Sequence, residues 1–334
     1  MAKAKEIIGL DCEAETARGM RLVLLARLEE MCEQRTAALD WSSDEGVHDM
    51  RVASRRLRSA LRDFKPHLRA GRRLNAARAE LKRLADALGA VRDEDVAIRA
   101  LEKLKEKTGE QSASAGLELF ADARRERRES AREKLVRALE PESLDSTRRQ
   151  IASVFEKATA PRKKSGEVES VGGEGRDEGA RSFREMGRFI VELSWDELRE
   201  HGPALYHPLK SVPLHDMRIA AKRLRYALEL FAACFGDASK ELAHELSELQ
   251  DALGELHDCD EWMQEFGNRL SEHRDESSGE VSAERRKAAF WMLEHFVVER
   301  SKHYGEALAI WRGMEREGFA SRLARCLDAP ARES

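Results

Sequence analysis

HDMRVASRRLRSALRDF, residues 48–64, returns as HDMRIAAKRLRYALELF, residues 215–231. A repeat of this length informs architecture before any single residue informs chemistry. Pro66 follows the first copy, and Pro208 and Pro213 precede the second. Both therefore read as helices of about five turns that begin near the histidine. Stepping 100° per residue places Met50, Leu57, Leu61 and Phe64, and likewise Met217, Leu224, Leu228 and Phe231, on one apolar stripe that must face a core. The opposite face carries His48, Arg51, Arg55, Arg58 and Arg62 in the first copy, and His215, Arg218, Lys222 and Arg225 in the second.

A solvated helix face usually alternates signs, because an acid four residues from a base stabilises by a few tenths of a kcal/mol and like charges at that spacing cost about as much. The first stripe contains no acid. A helix that tolerates such repulsion, twice over, is expected to face an anionic partner. Net charge is only -4, so the positive potential comes from segregation: residues 51–83 are mainly basic, whereas residues 241–261 are mainly acidic. That local field argues against indiscriminate coating of nucleic acid.

Charged residues make up 37% of the chain and aromatics 6%. With long 3.6-residue periodicity and no convincing strand, the fold class expected is all-α. The stretch ATAPRKKSGEVESVGGEGRDEGA, within 158–180, reads as a flexible linker between an N-terminal half (1–157) and a C-terminal half (181–334). A second element repeats as well: ELKRLADALGAVRDEDV (80–96) matches ELSELQDALGELHDCDEW (245–262). Each half is expected to hold about four main helices: an entry helix (15–38 and 181–200), the basic helix, a helix ending near Gly89 or Gly254, and a long helix after a short one opened by the aspartates. Two such bundles would pack about a pseudo-twofold axis, and if their basic stripes face one another they line one groove.

The five cysteines, Cys12, Cys32, Cys234, Cys259 and Cys326, are odd in number and form no CxxC pair, so they are read as free, reduced thiols. The N-terminal residues lack a signal-peptide pattern, and no apolar run approaches the length of a membrane span, which leads to an expectation of a soluble cytoplasmic protein. Asp93, Asp95, Asp258 and Asp260 are open to three readings: helix caps, partners of internal arginines, or oxygen ligands to a divalent cation. No phosphate loop, zinc-protease motif or nucleophile elbow occurs, so neither a catalytic residue, a metal site nor a cofactor is assigned.

The repeated elements resemble the CHAD family, the conserved histidine α-helical domain, whose signature is a duplicated HxxRxxxKRLRxxLExF helix followed by an LGxLRDxDV element. The resemblance implies two pseudo-symmetric helical bundles around a basic groove that binds inorganic polyphosphate, without catalysis, and association with polyphosphate granules. It carries the binding role to His48, Arg51, Arg55, Arg56 and Arg58, and to His215, Arg218, Lys222, Arg223 and Arg225. Two departures stand out: His257 occupies the place of the arginine that Arg92 keeps in the first half, and Glu229 stands opposite Arg62. The ExExK signature of a domain often fused in this family is not found. Two other readings remain: a metal-dependent phosphate-metabolising enzyme using the paired histidines, and an RNA-binding or scaffold protein, with nucleic acid disfavoured because single-strand binders interleave aromatics with bases.

Overall fold

The structure is a computed structural model that describes residues 5–109, 111–160, 182–272 and 280–329. It is all-α. The first half contributes α1 (Thr16–Glu33), the short α2 (Arg35–Ala38), α3 (Glu45–Asp63), α4 (Arg72–Lys107), α5 (Gln111–Ala138) and α6 (Pro141–Ala158). The second contributes α7 (Phe183–His201), α8 (Ser211–Leu230), the short α9 (Ala232–Phe235), α10 (Asp237–Glu272), α11 (Glu280–Arg316) and α12 (Phe319–Asp328). Within each half the basic helix packs on the entry helix and on the long helix that follows it, α3 on α1 and α4, α8 on α7 and α10. Between halves, like meets like: α1 packs on α7, α3 on α8 and α5 on α11.

The apolar stripes of the repeat lie where their periodicity puts them. Met50, Leu57 and Phe64 are 0% exposed, as are Met217, Leu224, Leu228 and Phe231, and Leu61 is 2% exposed. The last residues of the two stripes meet at the centre of the molecule. Phe64 and Phe231 lie 6.3 Å apart between ring centroids, and Phe183, which opens α7, packs against both at 6.1 and 4.9 Å. Each entry helix admits this cluster through a glycine: a methyl on Gly19 would stand 2.2 Å from the Phe183 ring, and one on Gly187 would stand 2.5 Å from Phe231. The main apolar core runs without interruption through both halves, from Met20 of α1 to Leu327 of α12. A second cluster, including Leu117, Phe120, Phe266 and Met292, joins the far ends of the long helices.

Three expectations need correction. No helix ends at Gly89 or Gly254: α4 and α10 each run through 36 residues, and the aspartates that follow cap nothing. A mid-helix glycine costs about 1 kcal/mol relative to alanine, and at both positions an arginine of the basic helix passes at ordinary contact distance, as described below. The cysteines are not all free, since Cys12 and Cys234 form a disulfide with their Cα atoms 5.4 Å apart. The N-terminal segment lies alongside the start of α7, where Phe183 N–H donates to the Ala14 carbonyl (3.0 Å) and Arg184 N–H to the Cys12 carbonyl (2.9 Å). This pairing delivers Cys12 to α9, across a sequence separation of 222 that no spacing rule reads. Cys32, Cys259 and Cys326 are free. Finally, residues 161–180 of the expected linker lie outside the described residues, and its first residues continue the fold: Ala158 ends α6 and Thr159 is buried, its hydroxyl donating to the Phe155 carbonyl at 2.8 Å.

Candidate functional site

Because α3 and α8 turn their apolar faces into the core, their cationic faces point the other way, where α4 closes over them. The result is a groove of about 960 Å³. From α3 it is lined by Arg51, Arg55, Arg58 and Arg62, from α8 by Lys222 and Arg223, and from α4 by Arg78 and Lys82. Only two carboxylates, Asp86 and Asp93, reach its lining. Some of this charge is held by neighbours: Arg51 by Asp93 (3.2 Å), Arg62 by Asp63 (2.7 Å), Lys82 by Asp86 (3.9 Å) and Arg223 by Glu197. Arg55, Arg58, Arg78 and Lys222 have no acidic partner within 4 Å among the described residues.

Lys222 registers the crowding. Burial first, then the positive charges of Arg55, Arg218, Arg51 and Arg225, push its pKa down from 10.5 to about 7. Burial also lowers the pKa of Arg55, with Arg51, Arg225 and Arg56 acting in the same direction and Tyr226 against them. The Arg55 Nε is buried without a hydrogen-bond partner. An uncompensated cluster of this kind is destabilising on its own and becomes favourable once an anion supplies the missing charge.

The other site residues expected from the repeat, His48, Arg56, His215, Arg218 and Arg225, do not line this groove. Arg56 turns toward α1, 3.4 Å from Glu30, which is itself paired with Arg27 at 2.5 Å. Arg225 is 3% exposed and is enclosed by Glu229 (2.5 Å) and by the Gln250 side-chain oxygen (3.0 Å). His215 faces His257, with their Nδ1 atoms 3.3 Å apart, so one ring donates and the other accepts. His257 Nε2 continues to Glu261 at 3.3 Å. In the first half Arg92 stands at the place of His257 and binds Asp44 at 2.5 Å, near His48 rather than bonded to it. Both repeat histidines titrate below the ordinary value: His48 through burial and then Arg92, His215 through burial and then His257 and Arg218. Among the described residues no three His, Cys, Asp or Glu side chains come together as a metal site.

The second repeated element explains how the first arginine of each basic helix is held. A methyl on Gly89 would stand 3.8 Å from Arg51 Nε and from Asp93, and one on Gly254 would stand 3.6 Å from Arg218 Nε. Each arginine thus lies across a glycine toward the aspartate one turn on. Asp258 shows the strength of this burial, with its pKa raised to about 6 by desolvation while Arg218 pulls the other way. Asp95 and Asp260 instead meet Arg128 (3.5 Å) and Arg300 (2.6 Å), so of the readings open to the aspartates the structure shows arginine pairing for Asp93, Asp95 and Asp260.

Sequence reasoning left out three contributors to the groove. Arg78 and Lys82 sit four apart within the basic run of residues 51–83, a spacing that marks one helix face. Tyr226, at 6% exposure, forms part of the floor, with the guanidinium groups of Arg55 and Arg225 over its ring at 5.8 and 4.6 Å.

The sequence pattern of the CHAD domain matches residues 22–267. The chain belongs to the CHAD domain family. Two solved structures share the fold along nearly their whole length. The crystal structure of the CHAD domain from the plant Ricinus communis is 19% identical, with a TM-score of 0.70, covering 94% of this chain and 96% of that one. PptA from Streptomyces chartreusis is 15% identical, with a TM-score of 0.63, covering 90% of this chain and 100% of that one. No curated protein sequence matches the chain. No described helix of this CHAD protein is long and apolar enough to cross a membrane.

Proposed function

We propose that this CHAD protein binds inorganic polyphosphate in the groove between α3, α8 and α4 and does not turn it over. The observation that carries the reading is the imbalance of charge: eight arginines and lysines against two carboxylates in one groove, with Lys222 pushed down to about 7 by burial and then by neighbours of its own sign. A phosphate chain offers a regular row of negative oxygens and nothing else to read. Arginine forks grip two such oxygens at once, and the lysines act as point charges. Arg51, Arg55, Arg58, Arg62, Lys222 and Arg223 are the primary contacts, joined by Arg78 and Lys82. His48, His215 and Arg218 are secondary contacts in this reading, while Arg56 and Arg225 are held by Glu30 and Glu229.

Single-stranded nucleic acid fits less well. Its binders offer aromatic faces to the bases, each stacked base contributing about 1–3 kcal/mol, whereas the one aromatic ring in the groove lining is buried and covered by two arginines. In the cell this activity would place the protein in the cytoplasm, at polyphosphate granules. Charge reversal in Arg55→Glu/Lys222→Glu is expected to abolish binding of long-chain polyphosphate in a chain whose helical circular dichroism is unchanged. Arg58→Glu, at an exposed position, serves as the variant least able to disturb folding. Retained affinity in both folded variants would remove the groove as the site. Release of orthophosphate from polyphosphate incubated with the protein and magnesium would replace the binding-only reading with an enzymatic one.

A further inference from the structure

We propose that α4 leads a phosphate chain out of the groove, over its exposed ridge, and into a second cleft against α6 that holds it through Arg73, Arg83, Arg149 and Lys157. This rests on the polyphosphate reading of the groove and extends it to a second station. The cleft has a volume of about 600 Å³ and lies between α4 and α6. Those four cations line it with a single carboxylate, Glu80, which is already engaged by Arg83. Arg73 and Lys157 have no acidic partner within 4 Å among the described residues. Arg149 uses its Nε on the Asp145 carbonyl at 3.3 Å. Thr147, Gln150 and Ser153 add neutral donors.

The groove and the cleft occupy opposite flanks of one helix. At 100° per residue, Arg78 and Lys82 point to the groove, while Arg73, Ala77 and Glu80 point to the cleft. The ridge between them is the exposed stripe Arg72, Ala76, Ala79 and Arg83. Ala79 also lines the groove, and Ala76 lines the cleft. Two small residues bounded by two arginines form a low, positively charged crossing that a flexible chain of phosphates can follow.

The second half offers no such route. The positions of α10 that correspond to the stripe, taken with Glu245 in place of Glu80, are Asp237, Glu241, His244 and Glu248. There Glu245 receives both guanidinium nitrogens of Arg322 from α12, at 2.5 and 2.6 Å, which ties α12 down onto α10. The path out of the groove is therefore one-sided.

Two linked stations raise affinity only for a ligand long enough to reach both, because the second contact forms at a high effective concentration. Tripolyphosphate and long-chain polyphosphate should be titrated against the full chain, against Arg73→Glu/Arg149→Glu, and against Arg312→Glu/Arg316→Glu, which makes the same charge change at the exposed end of α11. The cleft variant is expected to lose about tenfold in affinity for the long chain and to keep its affinity for tripolyphosphate within about twofold, with the α11 variant unchanged for both. The second station is overturned if the cleft variant binds the long chain as the parent does, or if it loses both ligands equally. If Arg55→Glu/Lys222→Glu also leaves long-chain binding intact, the groove reading itself has failed. A cleft variant that keeps what the groove variant loses defeats the second station alone.

Discussion

Arg58 of α3 and Arg225 of α8 occupy the same position of the repeat and lead different lives. Arg58 is exposed in the groove, with no acidic partner within 4 Å among the described residues, whereas Arg225 is 3% exposed and closed in by Glu229. The residue one turn on accounts for the difference: Arg62 follows Arg58, and Glu229 follows Arg225. An acid at i+4 converts a ligand-facing cation into a brace. The same divergence recurs along the pair, with Lys222 standing where the first copy has Arg55 and Tyr226 where it has Ser59. The apolar faces show no such drift, since each must fill the same kind of closely packed space. A duplicated helix can thus keep its packing half and redistribute its outward half, and the first copy supplies four of the groove's cations against two from the second.

Salt should expose this division most strongly. About eight phosphate contacts on a single-stranded polyanion give a slope of log affinity against log salt of about -6. Arg58→Gln/Arg62→Gln should reduce that slope by about 1.4, and Arg225→Gln should leave it in place. A wild-type slope near zero, from titrations at several salt concentrations, would remove the electrostatic mechanism altogether.

The two copies also differ in their response to pH. Lys222 has its pKa lowered from 10.5 to about 7 in the free protein, so between those values the folded chain lacks a proton that the unfolded chain keeps. Stability of the free protein should therefore rise with pH across that window. A bound polyanion restores the proton, and affinity should fall by up to about tenfold per pH unit above pH 7. Lys222→Arg makes the second copy like the first and should flatten the profile, and an unchanged profile in that variant would assign the titration to another group.

Arg58→Ala and Arg225→Ala test the comparison directly. The first should cost about three- to tenfold in polyphosphate affinity with the melting temperature unchanged. The second should lower stability by about 1–3 kcal/mol, because Glu229 and Gln250 lose their buried partner, with little change in affinity. Equal phenotypes would mean that repeat position, not the neighbouring residue, sets the role. Smallest in its effect on binding is Cys12→Ser, which cuts the tie between the N-terminal segment and the second half. Its expected signature is a loss of about 2–5 kcal/mol of stability under oxidising conditions, with groove affinity retained.

The sequence alone determined everything that depends on the local period of a helix. The spacing of Met50, Leu57, Leu61 and Phe64 assigned the core face, and the spacing of Arg51, Arg55, Arg58 and Arg62 assigned the opposite one, because a 3.6-residue repeat ties sequence spacing to direction. Only the tertiary structure decided which cations share a space. The acid at i+4 already sets Arg225 apart from Arg58 in the sequence, but nothing local brought Arg78 and Lys82 of α4 over the repeat or joined Cys12 to Cys234 across 222 residues. Gly89 and Gly254 misled for a related reason. A glycine reads locally as a helix end, yet in α4 and α10 it is the place where an arginine from another helix lies across. Helical direction and the i+4 ion pairs follow from the bonded chain, whereas the sharing of one groove and the close approach of helices are set by neighbours distant in sequence.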